Sequence, residues 1–501
     1  MLVDMPELTD VTRSLKGEGK RLIHCHGVFD LLHPGHIKHL QAAKRLGDVL
    51  VVTITQDKYV NRGPGRPVFN QELRAESVNA LACVDLVAVN QWPTAVEIIK
   101  AIKPDVYVKG SEYSRAEEDL TGRITDEEEA VSAVGGKVHF TDEITFSSTN
   151  LINQFFNPYP AAAQEFLAIF REKYSARDII EKLKALERLK VLVVGDTIID
   201  EYCYCRGMGK PPKDNVISAR YLSEERFAGG VLAAANHIAG FCARVEMVTC
   251  LGWEDHRAQQ EFLANHLKPN IGVKYFYQQG ALTTVKRRFI DPAFFTKMFE
   301  LAYLYDSPPR ELRDALLDYL TGAVRSWDLV LVTDFGHGLI DQEIANVLTG
   351  AKFLAVNAQT NSANAGFNLI TKYRRGHYVC LDEPELRLAC QDRTNDVKSL
   401  ARTVAVKLDS PLVAVTQGHQ GSLCYNGDFH QTPALSTKVV DRTGAGDAFL
   451  SITAPCARLG YPMDLIGFIG NAVGALKVQI VGNKESVEPV PLFKFISTLL
   501  K

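Results

Sequence analysis

Two stretches of this 501-residue chain open in the same way, with an apolar, β-rich run that ends in a turn holding Gly and Asp. The first is RLIHCHGVFD (Arg21 to Asp30) and the second is KVLVVGDTIID (Lys190 to Asp200). Each leads into alternating helix-like and strand-like segments, the pattern of a parallel α/β sheet. Two such beginnings, in a chain longer than one hydrophobic core usually grows, predict two α/β domains with doubly wound parallel sheets.

In the first domain, over residues 1–156, VLVVTIT (Val49 to Thr55), DLVAV (Asp85 to Val89) and DVYVKG (Asp105 to Gly110) read as further strands. Between residues 157 and 189 the strand signal disappears and an Ala-, Lys- and Glu-rich helical period follows, expected as a linker. From 190 to 501 the runs WDLVLVTDF, FLAVNA, GHYVCL and PLVAVTQG read as buried parallel strands of a larger domain. There NVISARYLSEERF (Asn215 to Phe227) alternates apolar and polar and predicts a half-exposed strand pair, a β lid.

The chain carries 56 Lys and Arg against 59 Asp and Glu, a formal net charge of −3, with the two signs interspersed. This leaves no electrostatic footprint for nucleic acid or an anionic membrane. No apolar run reaches the length of a membrane span, and the ten cysteines show no CxxC spacing, so a cytoplasmic protein with reduced thiols is expected.

The segment FDLLHPGHIKHL puts His33 and His36 at the mouth of a predicted helix. A helix N-terminus exposes unpaired N–H groups and partial positive charge, so it attracts phosphate. Gly35 removes a Cβ where a phosphate must come close, and Pro34 suits a helix start. His24, His26 and His39 have no matching role and are read as surface residues.

With AKRLGD, GRPVFNQELRAES, VKGSEY and FSSTNLI in the same order, GVFDLLHPGH resembles the cytidylyltransferase type of nucleotidyltransferase, a small Rossmann-like domain. The resemblance implies attack of a sugar- or alcohol-phosphate oxygen on the α-phosphate of a nucleoside triphosphate, with release of pyrophosphate. His33 and His36 would carry the chemistry. Gly27, Phe29, Asp30, Gly35, Lys38, Arg74, Lys109, Ser148 and Thr149 would bind the nucleotide and its phosphates. ATP is the expected nucleotide, with CTP possible, and Mg2+ is implied as the ion that accompanies a triphosphate.

Near the C-terminus, VVDRTGAGDAFLS (Val439 to Ser451) sets Gly444, Ala445 and Gly446 before a helix, an anion nest, and places Asp447 where a carboxylate can act as general base. Together with GDTIIDEY, FAGG, DEPE, VTQGHQG and GNAVGAL, it resembles the ribokinase-like, phosphofructokinase-B type sugar kinases. The resemblance implies a catalytic Asp447, nucleotide contacts from Thr416, Gly418, Gly444, Ala445, Gly446 and Asn471, and sugar contacts from Asp196, Asp200, Gly229 and Gly230. Lys286 and Arg288, in TTVKRRF, are candidates for positive charge at the sugar or its phosphate, with a plain surface strand as the other reading, and the resemblance implies that Asp382 and Glu385 would hold Mg2+. The sequence departs from the family where Ala233 stands in place of a sugar-binding Asn, where Asp382 replaces an Asn, and where VNAQTN replaces an Asp-Pro-Lys element.

A kinase and a nucleotidyltransferase in one chain resemble the bifunctional enzymes that make a nucleotide-activated heptose, with the domain order reversed. The implied partners are a sugar or sugar phosphate, a nucleoside triphosphate and a second copy of the chain. An alternative keeps the transferase, possibly a cytidylyltransferase, and makes the kinase-like half a non-catalytic binding or dimerisation module.

Overall fold

The strand runs seen in the sequence form the two sheets expected of them. A computed structural model describes residues 1–60, 63–110, 123–141, 159–213, 215–305, 308–436 and 438–501. Its first unit comprises Met1–Pro158 together with Phe493–Lys501, and its second Tyr159–Leu492.

Among the described residues of the first unit, β1 (Leu22–Gly27), β2 (Val49–Thr55), β3 (Leu86–Asn90), β4 (Val106–Gly110) and β5 (Lys137–Thr141) make one sheet in the order β3-β2-β1-β4-β5. Every pair is parallel. The order reverses between β1 and β4, and such a switch point opens a crevice at the carboxyl ends of the strands. Helix Pro34–Lys44 starts there.

In the second unit the main sheet runs β10 (Ile271–Gln278), β9 (Arg244–Gly252), β6 (Lys190–Gly195), β13 (Leu329–Asp334), β14 (Leu354–Ala358), β15 (Tyr378–Asp382), β16 (Leu412–Thr416), β17 (Ser422–Tyr425) and β18 (Phe429–Thr432). It is parallel as far as β16, and β17 and β18 add antiparallel strands. The apolar runs are buried on both faces, as a sheet flanked by helices requires: Val191 to Val194 and Leu329 to Val332 are fully enclosed.

The lid is larger than the sequence reading gave it. The stretch expected as a strand pair is a single strand, β8 (Ser218–Gly230), antiparallel to β7 (Thr197–Gly209), because the turn falls earlier, after Pro211 and Pro212. With β11 (Val285–Asp291) and β12 (Thr296–Tyr303) it forms a sheet in the order β12-β11-β7-β8.

The helices between residues 159 and 189, read as a linker, group with the second unit. Helix Ala161–Lys173 buries Leu167 and Phe170, and Phe170 stacks on Phe468 at 4.4 Å between ring centroids. Helix Ala176–Lys184 buries Ile179, Ile180 and Leu183. An apolar helix face must be covered, and here the second unit covers it.

Candidate active sites

At the switch point of the first unit, β1 ends at Gly27 and the chain turns through Phe29, whose φ of 49° lies in the left-handed region that favours glycine. His33 is the N-cap of the following helix. Its Nδ1 accepts from the N–H groups of Gly35 at 3.1 Å and His36 at 3.4 Å, which puts the proton of a neutral ring on Nε2. The rings of His33 and His36 stack, with centroids 3.9 Å apart and an interplanar angle of 19°, and Phe29 meets His36 edge-on. The two imidazoles thus form one unit at the helix mouth, but His33 also holds the mouth in shape.

The expected phosphate contacts around this pair divide. Asp30 is buried and braces the chain: its Oδ1 accepts from the N–H groups of Val68 at 2.7 Å and Phe69 at 3.2 Å, and its Oδ2 faces Arg66 at 3.8 Å. Arg74, expected on the triphosphate, is fully buried, and its guanidinium donates to the carbonyls of Val28, Thr55 and Phe69 and to Asp57. Both side chains are internal ties, because a buried carboxylate or guanidinium must find partners and the backbone supplies them. Lys109 pairs with Glu127 at 2.8 Å, and Lys38 is exposed on helix Pro34–Lys44. Ser148 and Thr149 lie outside the described residues.

The other histidines are not surface residues. His24 is fully buried and bonds Thr53 at 2.8 Å. His26 meets Thr53 at 2.8 Å and Thr55 at 3.2 Å, and His39 meets Thr141 at 2.8 Å. Burial, reinforced by the charge of Lys109, pushes His26 down to about 3 and His39 to about 4, so both are neutral near pH 7.

In the second unit, a cavity of about 320 Å³ opens at the mouth of helix Ala445–Arg458. Gly444, its N-cap, has φ 75°, and a Cβ there would come within 2.5 Å of Asn483 Oδ1, so only glycine fits. Ala445, Gly446 and Asp447 form the first turn and line the cavity. Burial, aided by Asp200 and opposed by Lys477 and Lys286, pushes the Asp447 carboxyl up to about 6.

The facing walls come from the lid and the sheet. Asp200, Gly230, Lys286 and Arg288 arrive from β7, β8 and β11, Asp382 and Thr416 from the ends of β15 and β16, and Glu385 from the first turn of helix Glu383–Cys390. Asp200 is held by Arg288 at 2.5 Å and Asn483 at 3.0 Å. Gly229 makes room for it, since a Cβ there would lie 2.1 Å from Asp200 Oδ2. Burial pushes the Lys286 ammonium below its usual range.

Asp382 and Glu385 form a capping box: Asp382 Oδ1 accepts from the Glu385 N–H at 2.7 Å, and Glu385 Oε2 accepts from the Asp382 N–H at 2.9 Å. Burial and the neighbouring Asp382 push the Glu385 carboxyl up to about 8. Two crowded acids are what a divalent cation would relieve. Among the described residues no three His, Cys, Asp or Glu side chains gather as a metal site. An ion here would rest on these two acids and on substrate phosphates, a donor set that suits Mg2+.

Four expected contacts stand outside the cavity lining. Asp196 is buried, accepts from the Phe335 N–H at 3.1 Å and is pushed up to about 7 by burial and by Asp334. Gly229 stands behind Asp200, and Gly418 occupies a turn at φ 56°. Asn471, expected in an adenine pocket, donates to Ser422 Oγ at 2.6 Å and to the Gly467 carbonyl at 2.8 Å, tying helix Met463–Lys477 to β17. Asn236, three positions after Ala233, has its amide engaged by the His266 carbonyl and the Lys268 N–H. Sequence reasoning missed Asn357, Gln359, Arg442 and Asn483 on the wall and Lys477 behind it. A single Lys in the apolar run GNAVGALKVQIV was the available signal for the last.

A parallel sheet under a four-stranded lid, with a glycine-opened helix mouth and a carboxylate of near-neutral pKa beneath it, defines the second unit as a small-molecule kinase of the lidded α/β class. Residues 188–489 match the pfkB family of carbohydrate kinases, and the chain belongs to that family. Residues 24–182 match the cytidylyltransferase-like family.

Among curated relatives, the bifunctional protein HldE of Syntrophotalea carbinolica is 37% identical over 155 residues, which cover 30% of this chain and 30% of that protein. The HldE of Gluconobacter oxydans is 39% identical over 150 residues, again 30% of each. The matched segment therefore spans about 30% of the length of these relatives. Phosphofructokinase-2 from Escherichia coli resembles the chain in fold. Its complex with potassium has a TM-score of 0.51 at 12% identity, covering 62% of this chain and 100% of that one. Its complex with substrates and products has a TM-score of 0.51 at 13% identity with the same coverage.

Proposed function

We propose that the chain carries two activities of nucleotide-activated sugar synthesis. The second unit phosphorylates a sugar or sugar phosphate from ATP, and the first transfers a nucleotidyl group, adenylyl in preference to cytidylyl, to a sugar phosphate with release of pyrophosphate. The kinase reading rests above all on Asp447, a carboxylate tuned to about 6 at the edge of a glycine-opened helix mouth. In that reading Asp447 takes the proton of the acceptor hydroxyl as its oxygen attacks the γ-phosphorus, and the bond from phosphorus to the β–γ bridging oxygen breaks to release ADP. The helix mouth receives the charge of the transferred group, while Lys286 and Arg288 orient an anionic or polyhydroxyl acceptor. Mg2+ bound by Asp382 and Glu385 would neutralise the triphosphate.

In the first unit, His33 and His36 would stabilise charge on the α- and β-phosphates as the sugar-phosphate oxygen displaces pyrophosphate. The partners are small molecules, with neither nucleic acid nor membrane among them; no helix among the described residues is long and apolar enough to cross a membrane. The cytoplasm is the proposed location. The lid strands leave Tyr221, Leu222, Phe299 and Leu301 exposed, which supports a homodimer that covers them.

The test is to incubate the full chain with ATP or CTP and a panel of sugars and sugar phosphates, heptose phosphates included, and to read products by mass spectrometry. His36→Ala should abolish pyrophosphate release alone, and Asp447→Ala should abolish ADP release alone. An intact chain that forms no phosphorylated sugar across the panel would make the kinase-like half a binding or dimerisation module.

A further inference from the structure

One charged side chain of the second unit has no part in the steps above and yet is wholly enclosed. Lys477, the last residue of helix Met463–Lys477, is fully buried. A buried ammonium costs far more than a helix C-terminus returns, so its immediate partners must account for it. Its Nζ donates to the carbonyl oxygens of Thr443 at 2.8 Å and Gly482 at 2.6 Å. Thr443 immediately precedes Gly444, and a Cβ on Gly444 would lie 3.4 Å from Lys477 Cε. The ammonium therefore sits directly behind the turn that opens the kinase cavity.

The electrostatic setting is equally specific. The carboxylates of Asp441, Asp447 and Asp200 favour the charged form of Lys477 and Lys297 opposes it, while burial, the largest influence, brings it down to about 8. Asp441 is itself fixed by Lys297 Nζ at 2.8 Å, the Tyr202 hydroxyl at 2.7 Å and the N–H groups of Gly482 at 2.8 Å and Thr443 at 3.1 Å. Two carbonyl oxygens converging on one point, backed by carboxylates, make a site for a monovalent cation, and here a covalently attached ammonium fills it. The charge also acts on Asp447, whose carboxyl Lys477 pulls down against the effect of burial.

We infer that Lys477 is the built-in cation of the phosphate-binding turn, clamping the Thr443 and Gly482 carbonyls behind Gly444 to Asp447 and lending that turn a fixed positive charge. It is a positioning residue, acting on substrate through the turn and through Asp447. The inference rests on the kinase reading of that turn. It implies that the second unit needs no free monovalent ion, because the chain supplies one.

The test uses the full chain. Wild-type ADP release should be equal in potassium, sodium and choline salts at constant ionic strength. Lys477→Ala should lower the turnover number for ADP release about 100-fold or more, the scale of losing a preorganised charge-stabilising group. Ammonium chloride should restore the variant at least about tenfold, with choline chloride at equal strength doing nothing and wild type unaffected, because a small cation can enter the space left by the side chain. A purely structural role would not show that rescue. Pyrophosphate release and the melting temperature report whether the variant is folded. Affinity for ATP, measured by calorimetry with and without ammonium, reads the same effect if the acceptor sugar is not the one supposed, so failure of the kinase reading stays separate. A potassium requirement in wild type would overturn the inference, as would a folded Lys477→Ala that keeps full activity or stays inactive in ammonium. If Lys477→Ala does not fold, the salt dependence of wild type decides.

Discussion

The hydroxyl of Tyr202 donates to Asp441 Oδ2 at 2.7 Å and so joins lid strand β7 to the loop that leads into Gly444. Tyr202 is fully buried and meets Phe227 of β8 edge-on at 5.1 Å. The lid and the Gly444 turn therefore share one hydrogen-bonded carboxylate. Although burial pushes the Asp441 carboxyl up, the bonds from Lys297, Tyr202, Gly482 and Thr443 hold it well below the usual range.

Tyr202→Phe removes that tie while keeping the ring. A hydrogen bond to a charged group contributes about 1.5–3 kcal/mol, so denaturant unfolding should show a loss on that scale. The KM for the acceptor should rise more than the KM for ATP, since the lid bears Asp200 and Arg288.

The rate of ADP release should follow the titration of Asp447. The carboxyl pushed up to about 6 must be ionised to accept a proton, so kcat/KM should fall as pH drops through about 6, with a limiting slope of one. Asp447→Asn should remove this limb and lower the rate roughly 10²–10⁴-fold. A flat profile between pH 5 and 7 would exclude Asp447 as the base.

Glu385→Gln keeps an acceptor for the Asp382 N–H, because Gln also completes a capping box, but it deletes a buried carboxylate. The Mg2+ concentration for half-maximal ADP release should rise about tenfold, with little change in melting temperature. Unchanged Mg2+ dependence would place the ion elsewhere.

His33 and His36 should respond differently to replacement. His33→Ala should lose pyrophosphate release and about 1 kcal/mol of stability, because the cap goes with the ring. His33→Asn should recover the stability but not the activity, and His36→Ala should lose activity with no comparable change in unfolding.

Arg74→Lys preserves charge but not the fork that reaches the carbonyls of Val28, Thr55 and Phe69. Unfolding of the first unit should show a loss of roughly 3 kcal/mol. A loss confined to nucleotide affinity would return Arg74 to the phosphate-binding role that its sequence motif suggested.

What could be read in the sequence was whatever depends on local pattern. The strands Val49–Thr55 and Leu329–Asp334 announce themselves as apolar runs, and GAGD announces a turn because its glycines admit no other use so near a helix start. The failures concern what a side chain reaches across the fold. Asp30 and Arg74 look like phosphate ligands in a motif, but their partners include backbone groups far along the chain, the Val68 N–H for Asp30 and the Val28 carbonyl for Arg74. His24 on β1 is enclosed, since a strand in the middle of a doubly wound sheet has no solvent face. The helices of residues 161–184 are legible in their period, but the pattern does not say what covers the stripe of Ile179, Ile180 and Leu183, and the second unit does so.

The membership of Phe493–Lys501 in the first unit bears on how the chain is made. Phe495 is fully enclosed, and a Cβ on Gly63 would fall 2.0 Å from its ring, so this late residue is packed against the early sheet domain. On the ribosome, where domains generally fold from the N-terminus first, the first unit must wait for the entire second unit to be synthesised before its own last piece arrives. A stop codon placed just after residue 492 would therefore injure the domain translated first.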